Sequence, residues 1–335
     1  MTDTNTQVRL AKRPQGLPGD DVFDVVEEPV GEPGDGEVLL RTRYVSLDPA
    51  MRGWMNEGRS YIPPVGIGEV MRASVVGEVL ASRKDGVEVG QHVVAMTGVQ
   101  ELAVTDLTGG YVVDGDAAPL PTYLGTLGMT GMTAYFGLTE VGRPKEGDTI
   151  VVSGAAGATG GAVVQIAKNL GCRVVGIAGG ADKCAFVTGE LGADACLDYK
   201  ADGLKARLRE ATPDRVDVYF DNVGGEILDL VLLRLARGAR VALCGAISQY
   251  NAGAEAKGPA NYMQLLINRA SMTGFVVFDY ADRYADATGI MAGWLKEGKM
   301  VAKEDVVTGG VRAFSQALRG LFEGANTGKQ VLQVA

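Results

Sequence analysis

The chain has 335 residues, of which 46% are hydrophobic and 22% are charged, and it contains 48 glycines. This length suggests two domains or one large domain, and the composition excludes a highly charged disordered chain and a collagen-like repeat. Lysine and arginine number 32 against 41 aspartates and glutamates, so the net charge is −9. An acidic surface repels phosphate backbones, which argues against nucleic acid as a partner.

No targeting segment or membrane span is predicted. The opening MTDTNTQVRLAKRP lacks the apolar core of a signal peptide, and nowhere do about 18 apolar residues run together. The four cysteines, Cys172, Cys184, Cys196 and Cys244, form no C-x-x-C pair. We therefore expect a cytoplasmic protein with reduced thiols and no membrane partner.

The single histidine limits the chemistry that the chain can perform. His92 lies in the valine-rich segment VGQHVVAM, which predicts a strand. One histidine excludes a two-histidine metal site within the chain and leaves His92 as the only candidate for a Ser-His-Asp triad. We expect His92 to be a packed or surface residue, and the chemistry to depend on a bound cofactor, tyrosines or backbone groups.

The predicted elements change in character along the chain. The first part is of β type, with the runs VLLRTRYVSLDPA, SVVGEVLA and QHVVAMTG. From about Pro121 a glycine-rich stretch leads into alternating strands and helices, beginning with the strand TIVVSGA and including the helix GEILDLVLLRLARG and the strand SMTGFVVF. This alternation predicts parallel βαβ units in a doubly wound sheet.

The last part of the chain returns to the texture of the first. After about Gly298 it contains the strand-like VAKEDVVTG, the helix FSQALRGLFEG and the strand KQVLQVA. We infer that this tail rejoins the N-terminal part. The predicted organisation is one domain of residues 1–122 and 299–335, with a dinucleotide-binding domain of residues 123–298 inserted between its two pieces.

A glycine motif marks the expected nucleotide site. Gly154, Gly157 and Gly160 follow a predicted strand and open a predicted helix. The first glycine permits a tight turn, the second lets the backbone approach a pyrophosphate, and the third allows close helix–strand packing. The N–H groups and dipole of the helix start would hold the phosphates. A glycine-rich turn without a ligand is the alternative.

The end of the next strand favours NADP over NAD. An NAD site usually places a carboxylate there for the ribose 2′-hydroxyl. Here the strand ends in Gly179 and Gly180, and the next charged residues are Asp182 and Lys183. The missing carboxylate leaves space for a 2′-phosphate, for which Lys183 supplies a cation. The alternative is that Lys183 is a solvated helix residue.

Several further motifs occur in an order that resembles a known family. The segments VSLDPAMRGWM, GMTGMTAYFGL, AAGATGGAVVQIAKNLG, LDYK, DNVGG, CGAISQYN and NTGKQVL together resemble the zinc-independent medium-chain dehydrogenase/reductases. The likeness is to the branch of leukotriene B4 12-hydroxydehydrogenases, prostaglandin reductases, plant double-bond reductases and bacterial curcumin reductases. It implies a GroES-like β-barrel catalytic domain with an inserted Rossmann domain, a homodimer, and NADPH-dependent reduction of the C=C bond of α,β-unsaturated ketones and aldehydes.

The same comparison excludes a catalytic zinc ion. Zinc-dependent relatives carry a cysteine ligand in the first domain and a His-Glu pair soon after it. The corresponding segments here, DPAMRG and GIGEVMRASVVGEV, contain neither cysteine nor histidine.

The resemblance also implies roles for individual residues. The pyrophosphate would lie against Gly157, Ala158 and Thr159, and Lys183 with Tyr199 would hold the 2′-phosphate. Tyr250 would donate a hydrogen bond to the substrate oxygen or enolate, a role that suits a phenol because it is neutral at pH 7. The remaining cofactor contacts are assigned to Asn222, Phe275, Val277 and Asn326. Alternatives remain open, namely a sheet-edge aromatic for Tyr199, a helix cap for Asn222 and a surface loop residue for Tyr250.

The substrate pocket is expected to be built partly by Tyr44, Met51 and Tyr61, each of which could equally be a packing or loop residue. Many relatives have an aromatic residue where this chain has Ala50. Its absence predicts a wider or differently shaped site.

The sequence also fits two other functions. A quinone oxidoreductase would use the same cofactor geometry on a related conjugated carbonyl. A non-catalytic NADPH-binding protein would bind the nucleotide without consuming it.

Overall fold

The computed structural model describes residues 4–253 and 256–335, and the chain divides into two compact units. The first unit consists of Met1–Gly125 and Glu304–Ala335, and the second of Thr126–Lys303. The sequence predicts the corresponding boundaries after residues 122 and 298. The assignment of catalysis to one unit and of NADP binding to the other stays a prediction.

The strands in chain order are β1 (Thr4–Leu10), β2 (Phe23–Pro29), β3 (Val38–Ser46), β4 (Val75–Ser82), β5 (His92–Ala95), β6 (Leu102–Thr105), β7 (Tyr111–Val113), β8 (Thr149–Ser153), β9 (Arg173–Ala178), β10 (Ala195–Asp198), β11 (Val216–Asp221), β12 (Leu235–Leu243), β13 (Ser271–Gly274), β14 (Glu304–Val307) and β15 (Lys329–Gln333). The α-helices are α1 (Ala50–Trp54), α2 (Met129–Phe136), α3 (Ala158–Asn169), α4 (Ala181–Gly189), α5 (Leu204–Ala211), α6 (Gly225–Leu232), α7 (Met263–Asn268), α8 (Tyr284–Lys296) and α9 (Phe314–Glu323).

The first unit is built on a largely antiparallel sheet. Its strand order is β14-β15-β3-β4-β5-β7, with β6 also pairing with β3, and β1 pairs with β2 in a separate ribbon. Alternating burial along β3, where Val38 and Leu40 are buried and Arg41 is exposed, is typical of a strand with one face on a core. The C-terminal strand β15 pairs with β3, so the tail joins the N-terminal part as predicted.

The second unit contains a doubly wound parallel sheet, as the sequence predicts. Its six strands have the order β10-β9-β8-β11-β12-β13, and every neighbouring pair is parallel. All five residues of β8 are buried, which is typical of a strand covered on both faces. The strand order reverses between β8 and β11. Ligands of such sheets bind outside the carboxyl ends of the strands at this point.

Two predicted boundaries in this unit are wrong. The helix expected to continue through residue 238 ends at Leu232, and β12 begins at Leu235, because Leu235 pairs with Val216 of the neighbouring strand. The strand expected through residue 278 ends at Gly274, and a 3₁₀ helix begins at Val277. In both places long-range packing overrides the local apolar pattern. Within the described residues no helix is both long and apolar enough to cross a membrane.

Candidate nucleotide-binding site

The turn from β8 into α3 has the geometry of a phosphate-binding turn. Gly154 has a φ of +62°, and Gly157 precedes the helix in an extended conformation without a side-chain cap. A Cβ added at Gly160 would lie 2.2 Å from the carbonyl oxygen of Gly154, so only glycine allows this approach of helix to turn. The first N–H groups of an α-helix have no partner within the helix. Those of Ala158 and Thr159 are therefore suited to an anion.

A buried carboxylate fixes the neighbouring strand end. Asp221, the last residue of β11, is 0% exposed. Its Oδ1 accepts hydrogen bonds from the hydroxyls of Ser153 (3.0 Å) and Tyr219 (2.7 Å) and from the N–H groups of Val223 (3.0 Å) and Gly224 (2.9 Å). Burial raises the pKa of the Tyr219 hydroxyl, and the nearby carboxylate adds to the shift. Tyr219 therefore remains a neutral donor.

Asn222 joins the ends of the two central strands. Its Nδ2 donates to the carbonyl oxygen of Ser153 at 2.7 Å, and its backbone N–H donates to the Ser153 hydroxyl at 3.0 Å. The residue that precedes α6 is Gly224, so the alternative that Asn222 caps this helix does not hold. The contribution of Asn222 to cofactor binding stays a prediction.

Gly180 and Tyr199 directly follow the carboxyl ends of the neighbouring strands β9 and β10. A Cβ added at Gly179 would lie 2.9 Å from the Tyr199 hydroxyl oxygen, so the ring lies over this glycine. Gly180 has a φ of +102° and donates its N–H to Oδ1 of Asp198 at 2.8 Å. Lys183 follows in the first turn of α4. This edge of the sheet combines an open glycine backbone with a cation, and β9 itself ends without a carboxylate.

Tyr250 is held by its own loop. Its hydroxyl oxygen accepts a hydrogen bond from the N–H of Ala246 at 3.2 Å, and a Cβ at Gly245 would lie 2.7 Å from the same oxygen. The N–H groups of Cys244 and Gly245 donate to the carbonyl oxygen of Asp221 at 2.9 and 3.1 Å. The loop after β12 is thus anchored to the same residue that fixes the end of β11.

The two residues predicted to line the nicotinamide differ in exposure. Phe275 is half-buried and packs edge-on against Phe220, with ring centroids 6.1 Å apart. A Cβ added at Gly137, directly after α2, would lie 2.2 Å from the Phe275 ring, so this position must be glycine. Val277 is buried, and its carbonyl oxygen accepts a hydrogen bond from the Tyr284 hydroxyl.

The other candidates belong to the first unit, and their environments differ. Met51 is fully buried in the hydrophobic core, against which Ala50 packs. Tyr61 is 57% exposed, and Tyr44 is half-buried on β3. Asn326 is buried, with its Nδ2 donating to the carbonyl oxygen of Gly328 at 2.8 Å. A common surface of the four pocket candidates stays a prediction.

Three residues of the site in the second unit are not among those predicted from the sequence. Ser153, Asp198 and Asp221 each end a strand of the parallel sheet and hold a turn in place. The available signal was their position, since each stands directly before a turn that had already been singled out. Among the described residues no three His, Cys, Asp or Glu side chains are grouped so as to hold a metal ion.

Family comparisons cover most of the chain. Residues 6–113 match the family described as the N-terminal domain of oxidoreductase, and residues 158–292 match the one described as zinc-binding dehydrogenase. The chain is 43% identical to the NADPH-dependent curcumin reductase of Escherichia coli over 334 residues, 97% of this chain and 96% of the relative. It is 39% identical to the NADP(+)-dependent 2-alkenal reductase of Nicotiana tabacum over 340 residues, 99% of this chain and 98% of the relative.

A solved structure gives the same result. The crystal structure of CurA in complex with NADPH from Vibrio vulnificus matches with a TM-score of 0.93 at 45% identity, over 98% of this chain and 99% of that chain. The expected fold, a GroES-like barrel domain with an inserted Rossmann domain, is confirmed. The chain belongs to the zinc-independent medium-chain dehydrogenase/reductases, in the branch of NADP-dependent oxidoreductases that includes curcumin reductase and 2-alkenal reductase.

Proposed function

We propose that this chain uses NADPH to reduce the carbon–carbon double bond of α,β-unsaturated ketones and aldehydes. The observation that carries the proposal is the full-length similarity to reductases of such compounds, in a chain that has the matching glycine turn and cation. In this proposal the second unit binds NADPH and the first is the GroES-like catalytic domain.

The residues of the second unit fit the phosphates of NADPH. A pyrophosphate would be held by the N–H groups of Ala158 and Thr159, beside Gly157, which precedes the helix and carries no side chain. The 2′-phosphate would be held by Lys183 and by the Tyr199 hydroxyl, next to Gly180, where an added Cβ would meet nothing within 4 Å.

The other end of the cofactor is assigned to the strand ends near the reversal of strand order and to the tail. Asn222 would contact the ribose or nicotinamide, and Phe275 and Val277 would line the nicotinamide ring. Asn326 would reach the cofactor from the returning tail. The amide of Asn222 is already oriented by its bond to Ser153, which fixes its position before a ligand binds.

When bound, NADPH would supply a hydride to the β-carbon of the substrate, and a proton must reach the α-carbon to complete the saturated product. Tyr250 holds a proton at its hydroxyl oxygen and donates a hydrogen bond to the carbonyl oxygen, where negative charge develops. This hydroxyl oxygen accepts the N–H of Ala246, and a hydroxyl that accepts one hydrogen bond becomes a better donor. The loop that carries Tyr250 is anchored at Asp221, which keeps the phenol in a defined place.

The test is a substrate panel. Purified protein is incubated with NADPH or NADH and one enone, one enal, one quinone or one saturated ketone, and products are identified by NMR. We expect the saturated carbonyl product from the enone and enal with NADPH. Oxidation of NADPH by the quinone alone would assign the chain as a quinone oxidoreductase. Tight NADPH binding without consumption would make it a binding protein.

Two variants test the assigned roles. We expect Tyr250→Phe to lower kcat about 10²-fold while leaving the KM for NADPH unchanged, because it removes a donor to the developing charge. Lys183→Ala should raise the KM for NADPH about tenfold with little change in kcat. Lys205→Ala on α5, an exposed cation outside the proposed site, is the matched control and should change neither value.

We also propose a homodimer formed through the edge strand β13. This strand pairs only with β12, which leaves one edge of the parallel sheet open within the described residues. Exposed apolar side chains lie just before it, on and next to α7, namely Tyr262, Met263, Leu266 and Ile267. An open edge with an apolar surface beside it favours pairing with a second copy. Sedimentation should show a dimer that Leu266→Glu dissociates and that Val89→Glu, on an exposed valine of the first unit, leaves intact.

A further inference from the structure

Two cysteines meet beneath the edge of the sheet that carries the proposed 2′-phosphate site. Cys184 lies in the second turn of α4 and Cys196 lies on β10, and these two elements pack against each other. The Cys184 thiol lies near enough to Cys196 to raise the pKa of the Cys196 thiol. Both cysteines are free and half-buried.

The backbone around Cys196 brings its sulfur towards the helix. A Cβ added at Gly176, the partner of Cys196 in the sheet, would lie 3.3 Å from the Cys196 sulfur and 2.7 Å from Cγ1 of Val187. Val187 follows Cys184 by three residues, so the two share a face of α4. The glycine therefore makes room for the Cys196 sulfur against the helix face that carries Cys184.

Burial raises the pKa of the Cys196 thiol, and the nearby Cys184 thiol adds to the shift. Cys196 therefore stays protonated at neutral pH. The thiolate is the form of cysteine that attacks an oxidant. The first reaction of the pair accordingly falls to Cys184, and Cys196 is the second, resolving thiol.

We infer that Cys184 and Cys196 form an intrachain disulfide when the protein meets a hydroperoxide. The Cys184 thiolate attacks one peroxide oxygen, the O–O bond breaks, and the leaving oxygen takes a proton to become water or an alcohol. The Cys196 sulfur then attacks the sulfur of the resulting sulfenic acid while its thiol proton passes to the departing hydroxide, so that the S–O bond breaks and water leaves. Two sulfur atoms are oxidised by one electron each, and the peroxide accepts both electrons.

The disulfide would change NADPH binding, a consequence that rests on the proposed function. The N–H of Cys184 donates to the carbonyl oxygen of Gly180 at 3.1 Å, and Lys183 precedes Cys184 directly. On the other side, Asp198 follows Cys196 by two residues and accepts the N–H of Gly180. A disulfide draws its two sulfur atoms closer together than two neighbouring unbonded thiols. It would therefore displace the first turn of α4 relative to the end of β10.

The experiment has two independent readouts. The full chain is treated with hydrogen peroxide, remaining thiols are alkylated, and peptides are mapped by mass spectrometry. NADPH affinity is then measured by fluorescence before and after treatment. We expect a 184–196 cross-link that dithiothreitol reverses, together with an affinity loss of about tenfold, since small displacements of positioning groups have effects of this size.

Three variants complete the test. Cys184→Ser and Cys196→Ser should each abolish the cross-link and the reversible affinity loss. Cys172→Ala, which removes a buried cysteine at the far end of α3, should respond to peroxide as the parent does.

Failure of the disulfide proposal can be told apart from failure of the proposed function. If the untreated chain binds no NADPH but still forms the cross-link, the proposed function fails and the disulfide stands. Oxidation that stops at separate sulfinic acids, or a cross-link that involves Cys172 or Cys244, would overturn the assignment of Cys184 and Cys196 as the disulfide pair. A 184–196 cross-link that leaves NADPH affinity unchanged would overturn its effect on the nucleotide site.

Discussion

The two units each hold an aspartate at the end of a strand, and they hold it in different ways. In the first unit, Asp48 follows β3 and accepts a hydrogen bond from the Lys329 ammonium at 2.7 Å on one oxygen. Its other oxygen accepts the Ser46 hydroxyl at 2.5 Å. In the second unit, Asp221 forms no ion pair within the described residues and accepts hydrogen bonds from four neutral donors on a single oxygen. Asp48 is thus paired with a cation, whereas Asp221 is surrounded by neutral hydrogen-bond donors.

The difference corresponds to different tasks. The Asp48–Lys329 pair links residues 281 positions apart and so fastens the tail to the segment after β3. Lys329 is only 3% exposed, and its ammonium also donates to the carbonyl oxygen of Leu47. An ion pair fixes two side chains, whereas Asp221 fixes two consecutive N–H groups and with them the course of a turn. This turn leads from Asn222 into α6.

Replacing Asp221 with alanine should lower the free energy of unfolding more than any substitution at Tyr219, Lys329 or Asp198. It would leave the hydroxyls of Ser153 and Tyr219 and two N–H groups without their acceptor. An unpaired buried polar group costs about 1–3 kcal/mol, so the free energy of unfolding should fall by about 4 kcal/mol or more. Urea unfolding followed by circular dichroism measures this. A loss below about 1 kcal/mol would contradict the role of the carboxylate as the organiser of the turn.

Tyr219→Phe is the graded control for this prediction. It keeps the ring and removes one of the four donors to Asp221. Hydrogen bonds to charged groups contribute about 1.5–3 kcal/mol, so the loss should be about 2 kcal/mol and should leave the turn intact. NADPH affinity should therefore change much more in Asp221→Ala than in Tyr219→Phe.

The sequence predicts the glycine turn of the nucleotide site but not the hydrogen bonds that hold the neighbouring strand ends in place. Gly154, Gly157 and Gly160 reveal themselves because their spacing and the flanking apolar runs are local. The bond from Ser153 to Asp221 spans 68 residues, and an aspartate before Asn-Val-Gly-Gly has the appearance of an ordinary turn residue. Contacts of this kind arise only once parallel strands place their carboxyl ends side by side.

Pocket residues are harder to predict for a related reason. Met51 and Tyr61 are both expected near the substrate, which stays a prediction; Met51 lies in the core and Tyr61 is 57% exposed. A methionine or tyrosine in an apolar stretch fits packing and binding equally well, and burial decides between them. Helix and strand limits show the same effect at Leu235, where pairing with β11 overrides an apolar pattern that fits a helix.

The ion pair in the first unit should respond differently from the neutral network. Lys329→Met leaves Asp48 without its cation, and breaking one side of such a pair costs about 3 kcal/mol. Adding Asp48→Leu should recover most of that loss, because a buried pair can often be replaced by apolar residues. Urea unfolding of both single variants and the double variant gives the coupling energy. Additive losses would mean that the two side chains act independently.

The smallest effect on stability is expected at Asp198, and it concerns the dependence of stability on pH. The N–H groups of Gly180 and Lys200 hold the pKa of this carboxyl below its usual value. A pKa that is lower in the folded state stabilises the fold above the unfolded-state pKa, and this contribution disappears as pH falls through the folded-state pKa. Asp198→Asn should therefore be less stable than the parent at pH 7, and the difference should vanish in acid. The midpoints of urea unfolding of the parent and the variant, measured from pH 7 into the acid range, test both expectations.

Asp106 in the first unit provides the matched control for Asp198. The N–H and hydroxyl of Thr108 likewise lower the pKa of its carboxyl, and Asp106 is exposed and far along the chain from the proposed phosphate contacts. Asp106→Asn should show the same loss of acid-dependent stability and no change in NADPH affinity. Asp198→Asn should weaken NADPH binding as well, because Gly180 loses a charged acceptor. Equal NADPH affinity in both variants would separate Asp198 from the nucleotide site and leave it a purely local brace of the turn.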